Sequence, residues 1–440
     1  MAKSKTNFYI VLIVFSLIGQ VAWVIENMYF NVFIYKMFNA SPSDISLMVS
    51  LSAVTATVTT LLIGALSDKV GKRKIFICGG YITWGASILA FSLIRLDVIK
   101  AIFPMAVSAS AIGITLVIIM DCVMTFFGSS ANDACFNAWL TESVSSEERG
   151  RAEGINSMMP LVAILVVFGG FMLLGFDLNL PSSWTSIYII IGVIVTLIGI
   201  LGIFLIEDVA VKTEENSGYF KNILYGFKPS VVKENKDLYL YLILFAIFGI
   251  SIQIFMPYLI IYYEVSLQMK DTYVLVMAPA IILASVFTFF YGRVYDKVGF
   301  NKSAIPSILI LMAGYVLLFF FTNVIPVFIG SLLMMCGYLA GMAVFGAIIR
   351  DKIPQNKAGM FQGLRIICQV LIPGLIGPWV GSLVLANADT IVNSDGTVSF
   401  VPNANIYLAA LCVAVVVLAI IVVMALMQNK KQSQTKQTNE

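Results

Sequence analysis

The sequence predicts an all-α membrane protein: twelve transmembrane helices forming two pseudo-symmetric six-helix bundles. Three observations predict it. Of 440 residues, 60% are hydrophobic and 12% charged, about half the charge of a water-soluble domain. Polar breaks divide the chain into apolar runs near the ~20 residues that a helix needs to cross a bilayer. One loop sequence occurs twice, at matching places in the two halves.

The runs are 8–35, 44–66, 75–95, 108–138, 152–176, 185–206, 238–263, 272–291, 304–322, 326–349, 360–386 and 405–427. The fourth has the least defined start, because 101–138 is one long run with a proline at Pro104. A membrane barrel would alternate apolar and polar residues over ~10-residue segments, and Ile187–Leu205 does not alternate. The first run is too long for the apolar part of a cleaved leader. Residues 207–237 carry both charge signs and read as a cytoplasmic linker between bundles at 1–206 and 238–427. The Gln- and Lys-rich tail, 428–440, reads as disordered.

Charge sets the orientation. With the N-terminus inside, the inner segments hold 22 Lys and Arg and the outer segments four: Lys36, Arg95, Lys100 and Lys270. That asymmetry follows the positive-inside rule. It places both termini in the cytoplasm, and the expected location is the plasma membrane.

The repeat is Gly-x-x-x-Asp-Lys-Val-Gly. It spans Gly64, Asp68, Lys69, Val70 and Gly71 after the second run, and Gly292, Asp296, Lys297, Val298 and Gly299 after the eighth. A fainter echo pairs Gly150-Arg151-Ala152-Glu153-Gly154 with Gly359-Met360-Phe361-Gln362-Gly363. Such internal repeats mark transporters built from related bundles. The glycines suit a tight turn and close helix approach. The aspartates suit a helix cap or an ion pair with an arginine, and Lys69 and Arg73 suit the cytoplasmic surface. A plain basic loop that only fixes topology is the alternative, but it would not need fixed glycines.

Gly64-x-x-x-Asp68-Lys69-x-Gly71-Lys72-Arg73 resembles the signature of the loop between spans two and three in the major facilitator superfamily. Within that family the chain is similar to the glycoside–pentoside–hexuronide:cation symporters, and to their sucrose/proton symporter-like branch. Asn132-Asp133-Ala134-Cys135-Phe136-Asn137-Ala138-Trp139, Arg149-Gly150 and Arg350-Asp351-Lys352-Ile353-Pro354 carry that likeness, with Gly359 to Arg365. The resemblance implies a sugar or glycoside as solute and a cation as partner. The repeat itself favours an inner gate made by Gly64, Asp68, Lys69, Gly71, Arg73 and Arg149 with Gly292, Asp296, Lys297 and Gly299. In melibiose permeases the second span carries two sodium-binding aspartates. The matching stretch here, Thr55-Ala56-Thr57-Val58-Thr59-Thr60, has no acid, so a proton is favoured over sodium.

Ionisable groups at membrane depth cost about 2.5–3.5 kcal/mol each on insertion scales. The chain keeps Glu26, Asp121, Asp133 and Arg365 there. Asp133, in Ser129-Ser130-Ala131-Asn132-Asp133, is the first candidate for cation coupling. Glu26 is the second, and Asp121, closer to the outer end and open to water on this reading, the third. The plain alternative for Asp133 is a helix-packing acid, and for Glu26 a pairing with a basic group on another span, such as Arg365. At 100° per residue, Gln20, Trp23, Asn27 and Asn31 fall within about 80°, a polar, aromatic stripe suited to a cavity, with Glu26 at its edge. Asn132, Asn137, Trp139, Gln253, Arg365 and Gln369 complete the expected solute site, placed near mid-membrane between the halves.

The chain has no histidine, no phosphate-binding loop and no metal-ligand spacing. Cys78, Cys122, Cys135, Cys336, Cys368 and Cys412 are scattered in apolar runs and read as packing residues. No enzyme activity, cofactor, metal or nucleic-acid partner is expected. The expected partners are a small solute, a coupling cation and membrane lipid, and the chain reads as a monomer. Two other readings stay open: a proton-driven exporter of apolar or cationic drugs, and a non-transporting or lipid-handling protein on the same fold.

Overall fold

The computed structural model describes residues 2–144, 148–207, 224–353, 358–393 and 396–438. Among them, eleven helices are long and apolar enough to cross a membrane. Spans one to seven are Thr6–Phe38, Pro42–Val70, Arg73–Phe91, Ala109–Ser143, Gly154–Leu174, Pro181–Leu205 and Lys236–Ser266. One helix, Tyr273–Phe320, is broken at Gly299 with φ 75° and ψ −176°. Its arms, 273–298 and 300–320, are spans eight and nine, so the described residues hold the twelve spans that the sequence predicts. Spans ten to twelve are Val324–Lys352, Gly363–Val384 and Asn405–Met427.

Local chemistry sets the ends. Ser41 caps span two: its Oγ accepts from the Asp44 N–H at 3.2 Å, while the Asp44 carboxylate accepts from the Ser41 N–H at 2.8 Å. Gly71, at φ 69°, ends span two in the left-handed region, where L side chains are strained. Gly299 also takes positive φ, so the last glycine of both loop copies is there for its backbone. The Pro104 ambiguity resolves into a short helix, Leu96–Ile102, before span four starts behind the Ser108 cap.

Contacts divide the chain into two compact units. The first comprises Met1–Ile223, Pro257–Ile261 and Asp389–Val401; the second comprises Leu224–Met256, Tyr262–Ala388 and Pro402–Glu440. In the first, spans three and six touch through small residues. A Cβ on Gly85 would lie 2.2 Å from Thr196 Oγ1 and 2.7 Å from the Gly192 carbonyl. The loop before span twelve forms a hairpin in this unit, with β1 (Thr390–Val392) antiparallel to β2 (Val398–Phe400). Tyr35 donates to the Phe400 carbonyl at 2.7 Å. Asn39 Oδ1 accepts from Ser399 Oγ at 2.9 Å and Asn393 Nδ2 at 3.1 Å. In the second unit, Gly337 lets span ten approach Leu311 of span nine, whose backbone N would lie 2.4 Å from an added Cβ.

One expectation is corrected. The polar tail continues the last helix to Thr438, because Lys and Gln propagate a helix that is already nucleated. In the described part of the linker, Leu224–Phe227 and Pro229–Glu234 are short helices. Residues 208–223 lie outside the described residues. Large apolar side chains such as Leu173 (88%) and Phe204 (79%) are exposed, as a surface facing lipid requires.

Candidate functional site

Four spans loosen into π-helical turns, a feature frequent at functional sites. They are Ile25–Tyr29 in span one, Ser129–Phe136 in span four, Tyr262–Ser266 in span seven and Ile367–Leu371 in span eleven. Glu26, Asp133, Glu264 and Gln369 each sit in one of them.

In the first unit the carboxyl groups gather. Glu26 is buried, 5% exposed. Its Oε1 accepts from Thr125 Oγ1 at 2.7 Å and Ser52 Oγ at 2.9 Å, and the two hydroxyls are 2.9 Å apart. Asp121 lies one turn before Thr125 and is 2% exposed, so the sequence reading that opened it to water is corrected. Span four turns this residue inward against the same Ser52 hydroxyl. Glu26 Oε2 and Asp121 Oδ1 are buried without a hydrogen-bond partner. Asp133 is half-buried and accepts from Ser129 Oγ at 3.0 Å. Among the described residues none of the three makes an ion pair.

The aromatic and amide residues divide. Trp23 is half-buried, with its ring 5.1 Å from that of Trp84. Both indole N–H groups are buried without an acceptor. Gly128 makes room for Trp84, since a Cβ there would come within 2.7 Å of the ring. Asn27 is exposed and donates to the Trp23 carbonyl at 2.8 Å. Asn31 is buried and donates to the Asn27 carbonyl at 3.2 Å. The expected single stripe on span one is therefore corrected: the π-turn shifts the helix phase between Trp23 and Asn31, so the amides face different surroundings.

Asn132 is buried, with its Oδ1 3.1 Å from the Tyr81 hydroxyl. Asn137 is exposed and donates to the Asp133 carbonyl at 3.3 Å. Trp139 is packed between Phe8 and Phe136, and its indole donates to the Glu207 carbonyl at 3.1 Å. It is therefore a satisfied packing residue.

In the second unit, Gln253 is half-buried against Gly377, where a Cβ would meet its side chain at 2.4 Å. Arg365 and Gln369 are half-buried on span eleven. Sequence reasoning missed Glu264, which is buried one residue beyond the predicted edge of span seven. It also missed Ser52, Thr125, Tyr81 and Trp84, whose only signal was hydroxyl and aromatic residues inside apolar runs.

The first loop copy is a charge cluster. Arg73, 3% exposed, pairs with Asp68, bonds the Ser67 hydroxyl, and holds Glu142 Oε1 at 2.7 Å and Oε2 at 3.1 Å. Lys69 is exposed. The second copy differs. Asp296 and Lys297 are exposed, and neither makes an ion pair among the described residues; the neighbouring Tyr295 donates to Asp351 instead. The close helix approach expected at Gly292 is corrected, since a Cβ there would meet nothing within 4 Å. Gly64 lies mid-helix in span two. Arg149 starts the helix Arg149–Leu174, and its side chain lies outside the described set.

A sequence model of the Major Facilitator Superfamily matches residues 10–378. The chain belongs to that superfamily. As a major facilitator protein it is a multi-pass membrane transporter, and solved structures share its fold. A variant of the nucleoside transporter NupG superposes with a TM-score of 0.74 at 12% identity, covering 95% of this chain and 99% of that one. A D-xylose-proton symporter gives 0.70 at 13%, covering 94% and 97%. A bacterial homologue of the human lysosomal transporter Spinster gives 0.65 at 15%, covering 96% and 97%. No curated protein matches the chain in sequence.

Proposed function

We propose that the protein is a cation-coupled symporter whose coupling ion is a proton and whose solute is a sugar or glycoside. One observation carries the coupling: Glu26, Asp121 and Asp133 share one unit with no basic partner among the described residues. A buried carboxylate without a counter-charge is costly, so a cation or proton is needed to complete the cluster. Ser52 and Thr125 hold one oxygen of Glu26 and leave the other free for that proton. Asp133, half-buried, is the member nearest to exchange with water. Sodium is disfavoured by the acid-free second span.

For the solute, Trp23 offers a partly open aromatic face and Asn27 an exposed amide one turn on. Sugars use such pairs, a ring for C–H faces and amides for hydroxyls. Arg365 and Gln369, half-buried on span eleven, are further candidates within the second unit. Trp139 is left out. The D-xylose-proton symporter and the nucleoside transporter among the fold neighbours carry hydroxylated solutes by name, which agrees with this class. The placement in the glycoside–pentoside–hexuronide:cation branch and in a plasma membrane, with cytoplasmic termini, belongs to the same proposal.

The test is uptake of labelled glycosides and pentoses into proteoliposomes, with imposed pH or sodium gradients. Accumulation driven by the pH gradient alone is expected. A second reading, export of organic cations, is favoured by the Trp23–Trp84 pair beside uncompensated acids and by amides already bonded within span one. Proton-driven efflux of a quaternary ammonium dye, with no sugar uptake, would replace the first reading.

A further inference from the structure

A cavity of about 260 Å³ opens in the first unit where spans one, three and six end. Its floor is aromatic: Phe33, Phe91, Trp184 and Tyr188 are all buried. Phe33 lies 5.1 Å from Trp184, and Phe91 5.4 Å from Tyr188. The Tyr188 hydroxyl is buried and has no hydrogen-bond partner. The rim carries an exposed ion pair: Arg95 Nε and Nη2 meet the Asp97 carboxylate at 3.0 and 2.7 Å. Beside the mouth, Leu93 is 68% and Leu180 49% exposed. Apolar side chains that open on a membrane protein face acyl chains, so the cavity opens toward lipid.

We propose that this cavity is a binding site for a zwitterionic phospholipid, with its phosphate on Arg95, its ammonium on Asp97 and its glycerol end over the aromatic floor. Charge complementarity selects that occupant. An anionic headgroup would bring a second negative charge to Asp97, and a cationic amphiphile would meet Arg95. A headgroup with both charges can insert into the Arg95–Asp97 pair and leave each ion matched. The pair is solvent-exposed, 40% and 62% at its side chains, so opening it costs little. Aromatic residues also favour the bilayer boundary, where one end of a ligand is wet and the other apolar.

The test uses the full-length protein equilibrated with equimolar palmitoyl-oleoyl phosphatidylethanolamine and phosphatidylglycerol, then read by native mass spectrometry for retained lipid. At least fivefold preference for the ethanolamine lipid is expected, falling to parity in the Arg95→Gln/Asp97→Asn double variant and surviving in Arg95→Lys. Equal retention of both lipids by the unaltered protein overturns the proposal, as does an undiminished preference in a double variant that melts normally. If the double variant does not fold, quenching of tryptophan by ethanolamine lipid brominated near the glycerol decides. Quenching that disappears in Trp184→Phe supports the site, and quenching unchanged in Trp184→Phe overturns it.

Discussion

At the scale of single residues, the coupling chemistry reduces to which oxygens lack a partner. Asp133 accepts from Ser129 and is the half-buried member of the cluster. Asp133→Asn is expected to abolish gradient-driven accumulation while counterflow exchange of the solute continues; wild-type accumulation would make the aspartate a packing group. Glu26 depends on two hydroxyls from other spans. A hydrogen bond to a charged group contributes about 1.5–3 kcal/mol. Ser52→Ala with Thr125→Val should therefore lower proton-driven accumulation at least roughly tenfold, with no matching loss of membrane-inserted protein. Uptake normalised to protein amount checks this.

At the scale of elements, the π-turns and the small-residue contacts decide where side chains go. The turn at Ile25–Tyr29 buries Glu26, which regular helical spacing leaves at the margin of the polar stripe. The turn at Ser129–Phe136 carries Asn132 and Asp133. Gly128, just before it, seats Trp84. Gly128→Val should displace that indole at a cost of about 1–3 kcal/mol, the usual range for overpacking. A lowered melting temperature and a changed tryptophan emission are expected. Gly85→Val should cost more, because the atoms it meets include the backbone of span six; an unchanged melting temperature would show that spans three and six are not held by that contact.

At the scale of the whole molecule, twelve spans put both termini on one side of the bilayer, and the distribution of lysines and arginines is the reason for proposing that this side is the cytoplasm. Cysteines introduced at Ser217 and Ser394, both outside the described residues, should react with impermeant thiol reagents from opposite faces. Reaction of both from one face would remove the twelve-span topology and the orientation with it. The two loop copies share a positive-φ glycine, yet only the first is built around a buried arginine. The two loop copies therefore differ in charge and in the ψ of that glycine, 14° at Gly71 and −176° at Gly299.

The sequence by itself determined the number of spans, their approximate ends and the two-half repeat. These depend on apolar length, charge placement and loop composition, all of which are local along the chain. It also marked Glu26, Asp121 and Asp133, because the cost of an acid at membrane depth is visible without knowing its neighbours. Tertiary structure alone decided which helix faces meet. It brought Ser52 and Thr125 to Glu26, turned Asp121 inward, paired Trp23 with Trp84 and tied Trp139 to Glu207. Glu264 stayed hidden because an acid at a span's edge reads as wetted until the fold buries it. The split of the span-one stripe has the same origin: a π-turn changes the phase of a helix, and no periodicity read at 100° per residue registers it.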